Sequence, residues 1–158
     1  MSKSIVIVLA SVFIIASAGA YVFFTTNAAS AEAEPLEMTV YKSPTCGCCN
    51  AWIEHLEENG FSVTAVDMQD VTPKKIELGI TPQTASCHTG VINGYAIEGH
   101  VPAADIIKLL DENPDHIKGL AAPGMPIGSP GMEMGDRKDA YDVIAIEEGN
   151  RTSVFSSH

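Results

Sequence analysis

The chain has 158 residues, of which 20 are acidic and nine are basic, and its formal net charge at neutral pH is −11. Nucleic-acid phosphates are bound mainly by clusters of Lys and Arg, which this chain lacks, so we exclude nucleic acid as a partner. The length leaves room for one domain once the N-terminal segment is set apart.

The N-terminal segment has the pattern of an export signal. Lys3 precedes an apolar run from Ile5 to Phe24, and small residues follow in Ala29–Ala31 and Ala31–Ala33. A signal peptidase could cleave at either tripeptide, which favours a cleaved signal. A run of about 20 apolar residues could also stay as a membrane anchor, and the chain would contact a membrane only in that case. Both alternatives place the rest of the chain outside the cytoplasm.

We expect three segments along the chain. Residues 1–31 are a signal peptide or an N-terminal membrane anchor, residues 32–37 are an acidic leader, and residues 38–158 form the folded domain. Within this domain, alternating and apolar runs predict strands at 38–42, 61–66, 86–92, 95–97, 141–146 and 151–155. Amphipathic or proline-initiated runs predict helices at 50–59, 73–78 and 102–110.

The order of these elements predicts the fold. A strand, helix and strand at the start give parallel neighbours, and Asn93-Gly94 predicts a hairpin later in the chain. We therefore predict an α/β, thioredoxin-like domain: a mixed sheet flanked by helices, with an added C-terminal strand or hairpin. Residues 119–135 are rich in Gly, Pro and Met and have no predicted regular element.

Cysteines are the main candidate functional residues. Cys46, Cys48 and Cys49 lie at the turn between the first strand and the first helix, and Cys87 lies far along the chain. Unpaired N–H groups and a partial positive charge at a helix N-terminus favour thiolate over thiol. Thiolate is both the nucleophile of disulfide exchange and a ligand for soft metals.

The cysteine spacing leaves two interpretations open. Three crowded thiols with a fourth that closes the site could bridge several Cu(I) ions, whereas a structural zinc site usually uses two separated CxxC-type pairs. Alternatively, Cys46 and Cys49 form a CxxC dithiol in which Cys46 attacks and Cys49 resolves. The dithiol interpretation leaves Cys48 and Cys87 without a role.

Further candidate metal ligands are two histidines and two methionines. His88 follows Cys87 and would face away from it on a regular strand, unless the strand ends or bulges there. His100 lies at the end of the hairpin. Met125 and Met132 lie in the Gly/Pro-rich loop and carry thioether sulfurs that suit Cu(I), and a loop of this length favours a lid over the thiols. His55, His116 and His158 are weaker candidates.

Four motifs together resemble one family. They are the segments Cys46–Cys49, Ser86–Thr89, Gly94–Pro102 and Pro123–Met132. In this order they resemble the exported bacterial copper-resistance proteins of the CopG type, thioredoxin-like proteins long catalogued as a domain of unknown function. The resemblance covers about residues 37–147.

The resemblance implies a periplasmic copper-binding protein. Copper would be held by Cys46, Cys48, Cys49 and Cys87 in a thiolate-bridged, multinuclear Cu(I) site, with interconversion of Cu(I) and Cu(II) as a redox role. Copper ions, and other periplasmic copper-handling proteins, are the implied partners. The expected function is copper tolerance, with a copper oxidoreductase as the enzyme interpretation. The alternatives are a metal-free thiol–disulfide oxidoreductase and a copper chaperone without catalysis.

Overall fold

A computed structural model describes residues 34–158, so the predicted signal or anchor over residues 1–31 lies outside the described residues. Seven strands and three α-helices are present in this part, in the order β1 (Leu36–Lys42), α1 (Gly47–Glu58), β2 (Phe61–Asp67), α2 (Thr72–Glu77), β3 (Thr89–Ile92), β4 (Tyr95–Gly99), α3 (Ala103–Glu112), β5 (Ile117–Ala122), β6 (Asp142–Glu147) and β7 (Thr152–Ser157). A short 3-10 helix, Glu148–Asn150, joins β6 to β7. None of the helices described is long and apolar enough to span a bilayer.

All seven strands form one mixed sheet in the order β2-β1-β3-β4-β5-β6-β7. The pairs β1–β2 and β4–β5 are parallel, and the other four pairs are antiparallel. Strands β2-β1-β3-β4 with their helices form the predicted thioredoxin-like arrangement, and β6 with β7 form the predicted C-terminal hairpin. The α/β fold is therefore confirmed.

The sheet has an apolar core on each face. Trp52 and Leu56 of α1 and Ile106 and Leu109 of α3 are fully buried in the larger core. A smaller cluster consists of Ile80, which follows α2, and of Ala96, Ala121 and Ile146 in β4, β5 and β6. Successive residues of a strand point to opposite faces, which is why the chain divides its apolar side chains between two clusters. The larger core fixes α1 against the sheet and thereby fixes the cysteine turn.

Strand β5 is the main difference from the predicted elements. The prediction that 119–135 holds no regular element is wrong for Gly119–Ala122, which lie in β5. A Cβ atom at Gly119 would collide with the carbonyl oxygen of Ala96, and the register shifts beside this glycine. Glycine here allows a close approach at a β-bulge, although in sequence it resembles a turn signal.

Some element boundaries also differ. Helix α1 begins at Gly47, three residues before its predicted start, so Cys48 and Cys49 are helical. Strand β1 begins at Leu36, inside the expected acidic leader. Strand β3 begins at Thr89 and not at residue 86, which places Cys87 and His88 before the strand. The predicted Asn93-Gly94 hairpin turn is confirmed, with φ values of 48° and 85° at its two residues.

Candidate metal centre

The first functional element is the turn between β1 and α1. Cys46 is the N-cap residue of α1, and its N–H group donates to the Ser43 carbonyl oxygen at 3.1 Å. No side chain caps the helix, and the Ser43 hydroxyl accepts from the Thr45 N–H at 3.4 Å. The turn thus leaves the first amide groups of the helix beside sulfur.

Four sulfur atoms converge at this turn. The Sγ atoms of the four cysteines lie within 4.8 Å of one another. Cys46 and Cys49 form a disulfide with a Cα–Cα distance of 5.3 Å, whereas Cys48 and Cys87 are free thiols. The Cys48 sulfur is 3.6 Å from that of Cys46, and the Cys87 sulfur is 3.7 Å from that of Cys49. The fold therefore brings together all four cysteines named from the sequence, including the distant Cys87.

His88 joins the cluster because it precedes strand β3, which begins at the next residue, Thr89. Its Nδ1 atom lies 3.2 Å from the Cys87 sulfur. The alternation of a regular strand would send these neighbours to opposite faces, but β3 begins only at Thr89. The strand end named as the exception is thus the observed case, and His88 lies at the candidate centre.

His100 approaches the same sulfur from the end of β4. Its Nε2 atom lies 3.4 Å from the Cys87 sulfur. Its Nδ1 atom donates to the Pro130 carbonyl oxygen at 2.8 Å, and this partner fixes the proton on Nδ1. The lone pair of Nε2 therefore faces the thiol. Cys87, His88 and His100 form a second group of potential metal donors that shares Cys87 with the four-cysteine group.

The electrostatics of the two histidines favour neutral rings. Burial lowers the pKa of His88 to about 3, and the nearby His100 and Lys75 charges act in the same direction. Burial also lowers the pKa of His100, although the Pro130 carbonyl opposes the shift. Metals bind the neutral imidazole, so both rings are in the ligating state at physiological pH.

Cys87 is held as a thiol. Burial, followed by the neighbouring Cys48, raises its pKa to about 11. Unlike the other three cysteines, Cys87 lies outside the helix N-terminus, so the expected stabilisation of thiolate does not extend to it. A metal ion that binds this sulfur has to displace a proton.

The His88 ring has one unused nitrogen. Its Nε2 atom is buried and lacks a hydrogen-bond partner among the described residues. The ring packs 4.3 Å from the Trp52 ring and 4.9 Å from the His100 ring, measured between centroids. An orphaned buried nitrogen is costly in an apolar protein core. The nitrogen that faces the Cys87 thiol is the other one, Nδ1.

The Gly/Pro-rich loop contacts the start of α1. A Cβ atom at Gly131 would lie 2.7 Å from the Trp52 nitrogen and 2.9 Å from the Cys48 carbonyl oxygen, so the loop backbone lies directly on the cysteine helix. Met125 is 53% exposed and Met132 is partly buried. Ligation by either thioether stays a prediction, whereas the close packing of the loop on α1 fits a cover.

The weaker histidine candidates have other partners. His55 is partly buried, and its Nε2 atom accepts from the Ala103 N–H at the start of α3 at 3.1 Å. His116 is exposed. His158 pairs with the buried Asp105, with Nε2 and Oδ2 2.8 Å apart.

A buried ion pair beside the centre was not foreseen from the sequence. The Glu98 side chain is completely buried, and its carboxylate pairs with the Lys75 ammonium at 2.5 Å. A charged residue in the otherwise apolar strand β4, two positions before His100, was the available signal. Charged side chains are seldom fully buried unless they are paired, so such a residue indicates a partner of opposite charge.

Comparisons with known proteins identify the family. Residues 84–132 match the sequence family described as protein of unknown function, DUF411. Two solved structures, named copper resistance protein CopG form 2 and form 1, are each 50% identical to this chain with a TM-score of 0.75. The match covers 79% of this chain and 99% and 98% of those chains. No curated protein matches this chain. Because identity is this high over nearly the whole of both solved chains, the chain belongs to the CopG copper resistance protein family.

Proposed function

We propose that this protein binds Cu(I) through Cys46, Cys48, Cys49 and Cys87 and thereby contributes to copper resistance outside the cytoplasm. The observation that carries the proposal is the convergence of the four Sγ atoms within 4.8 Å, although Cys87 is 38 residues from Cys49 in sequence. His88 and His100 are proposed as further ligands, because both rings face the Cys87 sulfur. Relatives named copper resistance proteins support the choice of metal.

The donor set fits a soft metal ion. Thiolate and imidazole without carboxylate suit Cu(I) better than hard cations. Metal–thiolate bonds in zinc sites are about 2.3 Å long. Two sulfurs that bind opposite sides of one ion through bonds of this length are about 4.6 Å apart. The spacing of the sulfurs in this cluster, at most 4.8 Å, therefore suits ions shared between thiolates after small side-chain movements.

The disulfide makes copper capacity dependent on reduction. With Cys46 and Cys49 joined, only Cys48, Cys87 and the two imidazoles are available as donors. Two electrons and two protons convert the disulfide into two thiols, and loss of their protons on binding gives the four-thiolate set. We propose that the reduced protein holds several Cu(I) ions and that the disulfide form holds fewer.

The same chemistry supports interconversion of copper oxidation states. Two Cu(II) ions and the thiols of Cys46 and Cys49 give two Cu(I) ions, one disulfide and two protons. Each Cu(II) takes one electron, and the sulfur–sulfur bond that forms supplies both. Cys48 and Cys87 remain free in the product state and keep donors for Cu(I) beside the disulfide.

A metal-free thiol–disulfide oxidoreductase is the second candidate function, and the disulfide favours it. A disulfide at the N-terminus of the first helix is the oxidised form of a CxxC dithiol. Two further thiols within 3.7 Å of the disulfide sulfurs would compete with an external thiol for exchange. This competition is a disadvantage for an oxidoreductase, and none for a copper site.

Copper loading under anaerobic conditions tests the proposal. Fully reduced and disulfide-bonded protein are each given excess Cu(I), passed through a desalting column and analysed for metal and free thiols. We expect more than one Cu(I) per reduced chain, fewer in the disulfide form, and little displacement by Zn²⁺. Near-zero copper in the reduced protein, with normal dithiol exchange, would favour the oxidoreductase.

Export is proposed from the N-terminal pattern and stays separate from the metal proposal. Mass spectrometry of the protein recovered from the periplasm and the membrane of producing cells distinguishes the alternatives. A mature chain that starts after Ala31 or Ala33 supports a cleaved signal, and an intact N-terminus in the membrane fraction supports an anchor. Full-length protein in the cytoplasm would contradict both alternatives.

A further inference from the structure

The segment that carries Cys87 is held by a buried carboxylate. The Oε1 atom of Glu98 accepts from the Ser86 N–H at 2.5 Å, and its Oε2 atom accepts from the Thr89 hydroxyl at 2.6 Å. Ser86 and Thr89 flank the two candidate ligands, Cys87 and His88. One side chain of β4 therefore fixes both ends of the ligand-bearing segment.

The backbone of β4 adds a third attachment. The Gly99 N–H donates to the His88 carbonyl oxygen at 3.1 Å. A Cβ atom at Gly99 would lie 2.5 Å from the Ser86 Cβ, so glycine is needed for the segment to come this close. Gly99 also has a φ of +71°, a conformation that other residues rarely adopt. Cys87 thus lies between two backbone groups that are both tied to β4.

Lys75 of α2 neutralises this carboxylate. Its Nζ atom lies 2.5 Å from the Glu98 Oε1 atom and donates to the Thr89 hydroxyl at 2.9 Å. The Lys75 side chain is 14% exposed and the Glu98 side chain is completely buried. Both carboxylate oxygens accept hydrogen bonds from protein groups, so Glu98 is not itself a metal ligand.

A buried ion pair of this kind is poorly explained by stability. Replacing a buried pair with apolar residues of similar volume is often neutral or stabilising, because the pair has to be desolvated. In metal sites, groups that hold the ligands through hydrogen bonds commonly change affinity by about 10–100-fold when they are lost. The buried pair is therefore better explained by the segment that Glu98 holds.

We propose that Glu98 is a positioning residue for the candidate metal centre. Its carboxylate holds Cys87 and His88 in place through Ser86 and Thr89, and Lys75 is its counter-ion. This proposal rests on the proposed copper function for its consequence, but the positioning itself exists without metal. In the metal-free protein, the carboxylate restrains the Cys87 thiol. Because the same restraint already orders two ligands before copper binds, it lowers the entropy cost of binding.

Two double variants separate the hydrogen bonds from the ion pair. Glu98→Gln with Lys75→Met keeps an acceptor for the Ser86 N–H and a polar partner for Thr89, whereas Glu98→Leu with Lys75→Met keeps neither. Both remove the charges. We expect the Leu variant to lose about tenfold or more in Cu(I) affinity, the magnitude typical of an outer-shell partner, and the Gln variant to stay near the wild type. Competition with a chromophoric Cu(I) chelator measures this difference.

A metal-independent measurement distinguishes failure of this proposal from failure of the copper function. In disulfide-form protein without metal, the rate of Cys87 alkylation is followed by peptide mass spectrometry. We expect faster alkylation in the Leu variant and a near wild-type rate in the Gln variant. If wild-type protein binds no copper but these rates differ as expected, the positioning survives and the copper function fails.

Glu98→Asp and Asp105→Asn complete the set. Glu98→Asp keeps the charge but shortens the side chain by one methylene, so it is expected to weaken the Ser86 contact, lower the Cu(I) affinity and speed Cys87 alkylation. It therefore tests the proposal even if the Leu variant does not fold. Asp105→Asn changes another buried carboxyl, whose partners are Ser156 and His158, and is expected to leave Cys87 alkylation unchanged. The proposal would be overturned if the folded Asp variant had the wild-type Cu(I) affinity and alkylation rate, and the Leu variant was either equally unchanged or unfolded.

Discussion

His100 donates its Nδ1 proton to the carbonyl oxygen of Pro130, at a distance of 2.8 Å. A loop residue thereby orients a ring at the end of β4 so that its other nitrogen faces Cys87, 3.4 Å from the sulfur. Histidines that bind metals usually donate their second N–H to such a carbonyl, which fixes the tautomer. The Gly/Pro-rich loop therefore prepares a candidate ligand as well as covering the cysteine helix.

Replacing His100 tests this arrangement. His100→Phe keeps a ring of similar size and removes both nitrogens. We expect the folded variant to lose Cu(I) affinity by at least about tenfold, the loss typical when only an outer-shell partner of a ligand is removed. Competition with a Cu(I) chelator measures the affinity, and circular dichroism checks the fold. His116→Phe removes an exposed imidazole and is the control. Equal affinities of the two variants would exclude His100 as a ligand.

Substitution of the free cysteines separates copper binding from dithiol exchange. Cys48→Ser and Cys87→Ser each remove one thiolate, so both are expected to lower the number of Cu(I) ions bound by reduced protein. Neither forms part of the Cys46–Cys49 disulfide, so reduction of that bond by an added dithiol should continue. Unchanged copper stoichiometry in both variants would mean that the four sulfurs do not act as one site.

The stability of the metal-free protein should decrease as the pH falls below about 6.5, the ordinary pKa of histidine. Burial lowers the pKa of His55, so the unfolded state binds more protons than the folded state and stability rises with pH. Protonated His55 also cannot accept from the Ala103 N–H. The same sign applies to His88 and His100.

Urea unfolding between pH 5 and pH 8, at constant ionic strength, measures this dependence. We expect His55→Leu to have a smaller slope of unfolding free energy against pH than the wild type, since one of the three lowered histidine pKa values is removed. An unchanged slope in His55→Leu would show that His55 titrates alike in both states.

The sequence predicted the fold and most of the cysteine site for identifiable physical reasons. Strand and helix periodicities are local, so the order of elements and the thioredoxin-like sheet followed from them. Cys46, Cys48 and Cys49 are neighbours in sequence and were placed at the helix start by that order. Cys87 needed the antiparallel pairing of β3 with β1, which brings it over the turn.

Other features depend on contacts that local patterns do not encode. A strand that began at residue 86 would turn His88 away from Cys87, whereas the pairing with β4 starts only at Thr89. The role of Glu98 depends on Lys75 from α2 and on the Ser86 backbone, which no periodicity relates. The lowered pKa values of His88 and His100 follow from burial, and Trp52 and Pro130, which contact these rings, are distant from them in sequence.

Cys87 is expected to react slowly with alkylating agents at neutral pH. In Cys48→Ser protein with the disulfide intact, Cys87 is the remaining free thiol, and burial is the main cause of its raised pKa. The rate with iodoacetamide should increase with pH to a midpoint well above about 8.5, the ordinary value for cysteine. Denatured protein gives the ordinary midpoint for comparison. A midpoint below the ordinary value in folded protein would show that the helix N-terminus, and not burial, dominates at Cys87.

Gly131 tests the contact between the loop and the cysteine helix. An alanine Cβ there would lie 2.7 Å from the Trp52 nitrogen, and the φ of +80° is unfavourable for alanine. Gly135 also has a positive φ, of +60°, but a Cβ atom there meets nothing within 4 Å, so Gly135→Ala is a matched control for backbone strain. We expect Gly131→Ala to lose about 1–3 kcal/mol of unfolding free energy beyond the control, the usual range for overpacking.

The copper measurement on these two variants decides what the loop does for the site. If the loop holds His100 through Pro130 and covers the cysteines, Gly131→Ala should also lower Cu(I) affinity in protein that is still folded, while Gly135→Ala should not. Chelator competition at a temperature well below both unfolding transitions gives the affinities. A Gly131→Ala protein that is destabilised but binds Cu(I) as tightly as the control would show that the loop stabilises the fold without shaping the metal centre.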